Sequence, residues 1–435
     1  MSRSAAPPIG WSTDAVEHDL RRWIDDGVVG RFEVQLVAAV LRAAPERPTD
    51  NCLLALAIAA RAARLGHVCL DLGAAQAQVT AAHDDEGGPV ELTLPDPAAW
   101  RAELASSPIV TTFPPEEAEA GHRALVRPLV LEGNRLYLHR LWSFEIDVAA
   151  QFADRIAPDA GIRPPVDEAA AVEDALVEVF GGIPVDEVGS PDLQFVAARR
   201  ALTRPVTVIA GGPGTGKTHT VARILAAALL VATEEGKVFR VALAAPTGKA
   251  ATRMKEAVDA QVSALVAIGR LTGDQAATLR SVEPTTIHRL LGRKSRTAFL
   301  HDRMDPLLHD LVVIDETSMV SLPLLARLLG AVRPEARLVL VGDPFQPASI
   351  AAGTVMADMV GPRGGTEASE EAPLAGRVTE LRRGHRFQEG STTDALALSI
   401  RDGDADAVMR QLAAGDPEVH WIRPDDAGPL DDLRR

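Results

Sequence analysis

Apolar residues fall at helical spacing through residues 16–23, 32–41 and 52–65, so the chain opens as a mainly helical unit extending to about residue 160. The segment 134–144, with Leu136, Tyr137 and Leu138 after a Gly-Asn turn, reads as a strand, so some sheet closes this unit. A Pro-rich joint at 158–165 separates it from the remainder of the chain. From about residue 200 the pattern changes to short, nearly unbroken apolar runs at 206–210, 238–245, 311–314 and 338–341, each bounded by turn residues. Strands that are apolar on both faces belong in a parallel sheet covered by helices on both sides, which makes the expected fold class α/β. Residues 361–376 read as a solvated loop, and the strand-like 377–381 begins something new. The expected domains are therefore 1–160, 161–376 and 377–435.

Composition changes this picture little. Of the 435 residues, 46% are hydrophobic and 24% charged, which is ordinary for a globular chain. No stretch approaches the ~20 uncharged apolar residues of a membrane helix, so no membrane role is expected. Residues 1–11 hold one Arg and no apolar run behind it, which points away from a secretory signal and towards the cytoplasm. Cys52 and Cys69 have apolar neighbours and read as small core residues of a reducing compartment.

Charge does more. A formal −15 argues against a surface that binds nucleic acid everywhere, but not against a local groove. Acidic residues gather at 84–86, 116–119, 167–178 and 367–371, leaving 192–303 richer in Arg and Lys. Any nucleic-acid track belongs in that middle region.

The chemistry is concentrated there too. Gly211, Gly212, Pro213, Gly214, Thr215, Gly216, Lys217 and Thr218 form a complete G-x-x-x-x-G-K-[ST] between the run 206–210 and a helix expected from Lys217 to about Thr233, with His219 in its first turn. Glycines let backbone N–H groups converge on phosphate oxygens, and the helix N-terminus adds its dipole. Lys217 would reach the β- and γ-phosphates and Thr218 would ligate Mg²⁺. A second apolar run delivers Asp315 and Glu316 at its carboxyl end, where parallel sheets hold ligands. Asp315 suits the metal through water, and Glu316 suits polarising a water for hydrolysis. A third run ends in Asp343, Pro344, Phe345 and Gln346, whose amide can meet the γ-phosphate or the lytic water; taken alone, such a Gln is a solvated turn residue.

The order of Gln194, the phosphate loop, 245–251, 285–292, 314–320, 342–346 and 383–387 resembles the superfamily 1 DNA helicases. Within them it is most similar to the RecD family, the alpha subunits of exodeoxyribonuclease V. The resemblance is strong over roughly 190–403 and weaker at 66–70 and 136–142. It implies two RecA-like domains, the second incomplete here, behind a helical partner-docking domain. It implies ATP and Mg²⁺ as cofactors, single-stranded DNA and DNA ends as substrates, RecB-like and RecC-like subunits as partners, and 5′-to-3′ unwinding in recombinational repair. By the same resemblance Gln194, behind a short helical lead-in, contacts the nucleotide base. Pro246, Thr247, Gly248 and Lys249, with Thr286 and His288, would contact single-stranded DNA. A hydroxyl, an ammonium and main-chain N–H groups in strand-end loops are sequence-blind phosphate ligands in any case. His288 reads equally well as a structural histidine. Residues 293–310 would form a small strand-separating hairpin, and Arg386 would reach the γ-phosphate from the second domain, coupling hydrolysis to domain closure.

Nothing in 404–435 resembles the family's later motifs, so the expectation is a chain cut within its second motor domain that binds nucleotide and unwinds little alone. A nucleotide-binding scaffold without motor function is the competing reading, and DNA-stimulated hydrolysis separates the two. A small-molecule kinase fits less well, because Glu316 stands beside Asp315 and no acceptor pocket is evident.

Overall fold

The structure, a computed structural model, describes residues 13–44, 46–84, 93–113, 127–157, 166–185, 192–295, 298–346, 353, 355–361, 374, 376–381, 391–414, 416 and 419. The Pro-rich joint, Arg386 and nearly all of 415–435 lie outside the described residues.

In the N-terminal unit the helical periodicity holds, with helices at Thr13–Asp19, Arg21–Asp25, Arg31–Ala43 and Asp50–Arg64. Thr49 caps the last of these by accepting from the Cys52 N–H, and that helix is buried almost throughout. Its Arg61 is buried as well and donates through Nη1 to the carbonyls of Gly27 and Val28 at 3.1 and 2.9 Å, which ties the helix to the preceding turn. The sheet that covers it is larger than the sequence indicates. Strands β1 (Cys69–Asp71), β2 (Val110–Phe113), β3 (Leu129–Glu132) and β4 (Arg135–Leu138) pair in the order β1-β4-β3-β2, antiparallel except for β2 with β3. Cys52 lies in this core and Cys69 is half-buried; both are free thiols.

The second sheet is six-stranded and parallel among the described residues. Its strands are β5 (Val206–Gly211), β6 (Val241–Ala245), β7 (Thr285–Thr286), β8 (Leu311–Ile314), β9 (Arg337–Gly342) and β10 (Val378–Leu381), in the order β10-β5-β9-β8-β6-β7. Strands β5 and β8 are buried at every position, as unbroken apolar runs require. Alternate residues feed two cores. Ile209, Val313 and Val339 face the helices Val166–Phe180, Leu193–Thr203, Lys217–Glu234 and Gly248–Ala267. Val208, Val312 and Leu340 face Leu322–Ala331 and the helix His139–Ile156 through Val148 and Phe152.

Two features differ from the sequence reading. The strand expected to open a second motor domain, β10, is instead the edge of this first sheet, paired in parallel with β5 so that Leu381 stands opposite Gly211. A four-residue alternating strand carries no mark of which sheet it joins; only the register does. The boundary expected at 160 also falls behind a helix that serves both units. His139–Ile156 leaves β4 and packs on Leu322–Ala331, where the buried Arg155 donates to the carbonyls of Leu329 (3.2 Å), Arg333 (3.0 Å) and Val332. The carbonyls of Leu329 and Val332 lie at the helix C-terminus, where intrahelical donors run out, so Arg155 supplies donors to them; the Arg333 carbonyl, just beyond the helix, also accepts the Ala336 N–H.

Candidate functional site

All strands of the second sheet run the same way, so β5, β9, β8, β6 and β7 end on one rim. Every sequence-predicted site residue that the structure describes lies on or beside it.

At the end of β5 the chain turns through Gly211, Gly212, Pro213, Gly214, Thr215 and Gly216 before the helix Lys217–Glu234 begins. Gly214 and Gly216 have φ of 82° and 87°, conformations that a residue with a Cβ seldom adopts. Thr215 Oγ1 donates to the Gly212 carbonyl at 2.9 Å and ties the turn together. Lys217 Nζ donates to the carbonyls of Gly211 and Gly212 at 2.6 and 2.8 Å, so its ammonium rests on the loop's own rim. Thr218 comes next in the first helical turn, with its side chain half-buried.

Gln194 is in the first turn of Leu193–Thr203, whose N-cap Asp192 accepts the Gln194 N–H at 2.7 Å. The expected lead-in helix is therefore one that Gln194 opens. Its amide lies over the loop, with Nε2 3.5 Å from the Thr215 carbonyl and Oε1 2.9 Å from His219 Nδ1. Arg223, one turn after His219, contacts that imidazole and sits 4.8 Å above the Phe180 ring. Phe180, Asp192, Gln194, Gly216, His219 and Arg223 line a cleft of about 510 Å³ beside the loop. Sequence reading missed Phe180, Asp192 and Arg223, because nothing local links them to a motif; the i, i+4 spacing of His219 and Arg223 was the one available signal.

Strand β8 delivers Asp315, whose N–H donates to the Ala244 carbonyl at 2.9 Å and continues the ladder with β6. Burial pushes the Asp315 carboxyl up to about 6. The Glu316 charge adds to the rise, while the Glu316 N–H (2.9 Å to Asp315 Oδ1) and the Lys217 ammonium oppose it. Glu316 has φ of 51°, the one positive value at a non-glycine among the described residues. Such a backbone costs of order 1 kcal/mol and marks a position that the surroundings enforce. One carboxylate oxygen of Glu316 is buried without a hydrogen-bond partner.

Strand β9 lies between β5 and β8, which places the third motif between the first two. Asp343, buried at its end, accepts the Phe345 N–H at 3.0 Å and shapes the turn that presents Gln346, which is half-buried. Gly342 admits the turn after Glu316: a Cβ there would lie 3.0 Å from the Thr317 amide nitrogen and 2.7 Å from Met356 Sδ.

Further along the rim, β6 and β7 end side by side with Ala245 opposite Thr286. Thr247 accepts the Ala250 N–H and Thr286 the Arg289 N–H, both at 3.2 Å, so the two threonines are helix N-caps in adjacent loops. Pro246 is half-buried, and Thr247, Gly248 and Lys249 are exposed. His288 packs against Phe299, with ring centroids 6.1 Å apart. Burial, then the Arg293 cation, lower its affinity for protons, so the imidazole is neutral at pH 7. Phe299 belongs to a tight reversal in which it bridges Arg293, the place where the sequence suggested a hairpin.

Among the described residues no group of three or more His, Cys, Asp or Glu could hold a metal ion. No described helix is long and apolar enough to cross a membrane.

Residues 194–352 match the AAA domain family, and 25–137 match the family described as RecBCD enzyme subunit RecD, N-terminal domain. The RecBCD enzyme subunit RecD of Mycolicibacterium smegmatis is 42% identical over 406 residues, which cover 92% of this chain and 62% of the relative. The subunit of the same name from Mycobacterium tuberculosis is 41% identical over 412 residues, again spanning 62% of its length. The ATP-dependent RecD2 DNA helicase of Deinococcus radiodurans is 37% identical over 148 residues, 34% of this chain and 17% of that protein. The chain thus spans about three-fifths of the first two relatives.

Proposed function

We infer that this chain belongs to the family of the RecBCD enzyme subunit RecD, and on that premise we propose that it is an ATP-hydrolysing motor acting on single-stranded DNA. In this reading it is the helicase subunit of a RecBCD-type helicase-nuclease, working with RecB-like and RecC-like subunits on DNA ends in double-strand break repair in the cytoplasm. The resemblance supplies the 5′-to-3′ direction.

The observation that carries the reading is the convergence of Lys217, Asp315 and Glu316 on the rim that also bears the Thr247 and Thr286 loops. Main-chain N–H groups at Gly214 and Gly216, with Lys217, hold the β- and γ-phosphates, and the Lys217 ammonium exchanges its two carbonyl partners for phosphate oxygens. Thr218 and Asp315 would hold Mg²⁺, which supplies charge neutralisation at the phosphates. Glu316, with one buried oxygen to offer, orients and polarises the attacking water. Gln346, on the strand between the two, reports whether the γ-phosphate is present. Gln194 contacts the base. The loops 246–249 and 286–288 take the DNA backbone, and Arg386 is the arginine that a second domain would bring to the γ-phosphate.

Steady-state ATPase of the purified chain, with and without single-stranded DNA, tests this. Single-stranded DNA should stimulate hydrolysis several-fold, and Lys217→Ala should abolish it with unchanged circular dichroism. Hydrolysis indifferent to DNA would leave a nucleotide-binding scaffold in place of a motor.

A further inference from the structure

The cleft beside the phosphate loop contains a chain of polar groups whose directions are fixed by chemistry. Arg223 Nη1 meets the His219 ring, closest at Nε2. The direction is set from the loop end: the Thr215 carbonyl only accepts, so the Gln194 group beside it is the NH₂, and Oε1, an acceptor, faces the His219 ring. Nδ1 lies 2.9 Å from Gln194 Oε1 and donates to it. The Gln194 amide is then turned with its oxygen towards the helix and its NH₂ towards the loop, where Nε2 approaches the Thr215 carbonyl at 3.5 Å. Gly216 is the residue that allows this approach, because a Cβ there would come 2.3 Å from Nε2.

Arg223 is itself held in place. It lies over the Phe180 ring, which is edge-on to Phe195 with centroids 5.2 Å apart. The sequence Phe180, Arg223, His219, Gln194 therefore runs from the hydrophobic core to the loop, and each member orients the next.

We propose that His219 is a positioning residue: it holds the Gln194 amide so that an N–H, and not the carbonyl oxygen, faces the cleft and reads a ring-nitrogen lone pair of a purine base. This rests on the nucleotide reading of the loop. It distinguishes His219 from the residues beside it, since Lys217 and Thr218 serve phosphate and metal whereas His219 acts through Gln194 on the base. A purine nucleotide feels His219, and a base-free polyphosphate does not.

Calorimetric titration of the full chain with ATP and with inorganic tripolyphosphate, both with Mg²⁺, separates these cases. His219→Leu should weaken ATP binding about five- to tenfold, the worth of one oriented hydrogen bond, and leave tripolyphosphate unchanged. His219→Gln, which keeps a side-chain N–H donor, should restore most of the loss. In a Gln194→Leu background, His219→Leu should add nothing further. Equal weakening of both ligands would mean that His219 merely supports the loop, and a further loss in the Gln194→Leu background would mean direct contact with nucleotide; either overturns the proposal. If the unaltered chain takes up neither ligand, the nucleotide reading itself falls, an outcome distinct from the other two.

Discussion

The Asp315 carboxyl is held where it resists ionisation, and that has a stability consequence of definite sign. Its proton is retained in the folded chain up to about pH 6, against 3.8 for the ordinary group. Between those values the folded state binds more protons than the unfolded one, so stability rises as pH falls from about 6 to 4, and the penalty is fully present above 6. A shift of roughly two units corresponds to about 3 kcal/mol. In metal-free buffer Asp315→Asn should therefore raise the unfolding midpoint at pH 7.5, and the advantage should vanish near pH 3.5; an advantage of the same size at both pH values would contradict the assignment. Lys217, Asp315 and Glu316 were legible in the sequence because each motif is contiguous and ends an apolar run. The left-handed backbone of Glu316 was not, because glutamate gives no sign of it. Nor was the contact between residues 194 and 219, which depends on how a helix start and a loop are brought together in space.

At the level of elements, the apolar runs identified four of the six strands of the main sheet, and the strand expected over 238–245 begins three residues later, at Val241. The short strands β1, β2, β3 and β7 escaped because two to four residues carry too little periodicity, and β10 was placed in the wrong unit for the same reason. Contacts between elements yield two further predictions. Gly342→Ala sets a methyl against the Thr317 backbone, and main chain yields less readily than the Met356 side chain. Overpacking of this kind costs about 1–3 kcal/mol. The turn behind Glu316 should be displaced, so ATPase should fall at least about tenfold while nucleotide binding, measured by calorimetry, is largely kept. Arg155→Met removes the donors from the carbonyls of Leu329, Val332 and Arg333 and should lower stability by about 2–4 kcal/mol in urea unfolding. A change under about 0.5 kcal/mol would show that the helix His139–Ile156 is held by its apolar contacts alone.

For the whole molecule, a net charge of −15 confines any polyanion to a local track, which we propose runs over the rim loops at 246–249 and 286–289. Lys249, next to the Thr247 cap, is an exposed cation there. Lys249→Ala should weaken single-stranded DNA uniformly across sequences and reduce the slope of log K against log salt by about 0.7. An unchanged slope, measured by fluorescence anisotropy at several salt concentrations, would move the track elsewhere. The edge strand β10 gives the architecture a mechanical property as well. The chain leaves β10 at Leu381, which is in register with Gly211, the first glycine of the phosphate loop, and packs against it. Tension applied at Leu381 along the strand axis would load the rungs shared with β5 together in shear instead of unzipping them singly. Whatever tugs there is coupled stiffly, through one short ladder, to the turn proposed to grip the triphosphate.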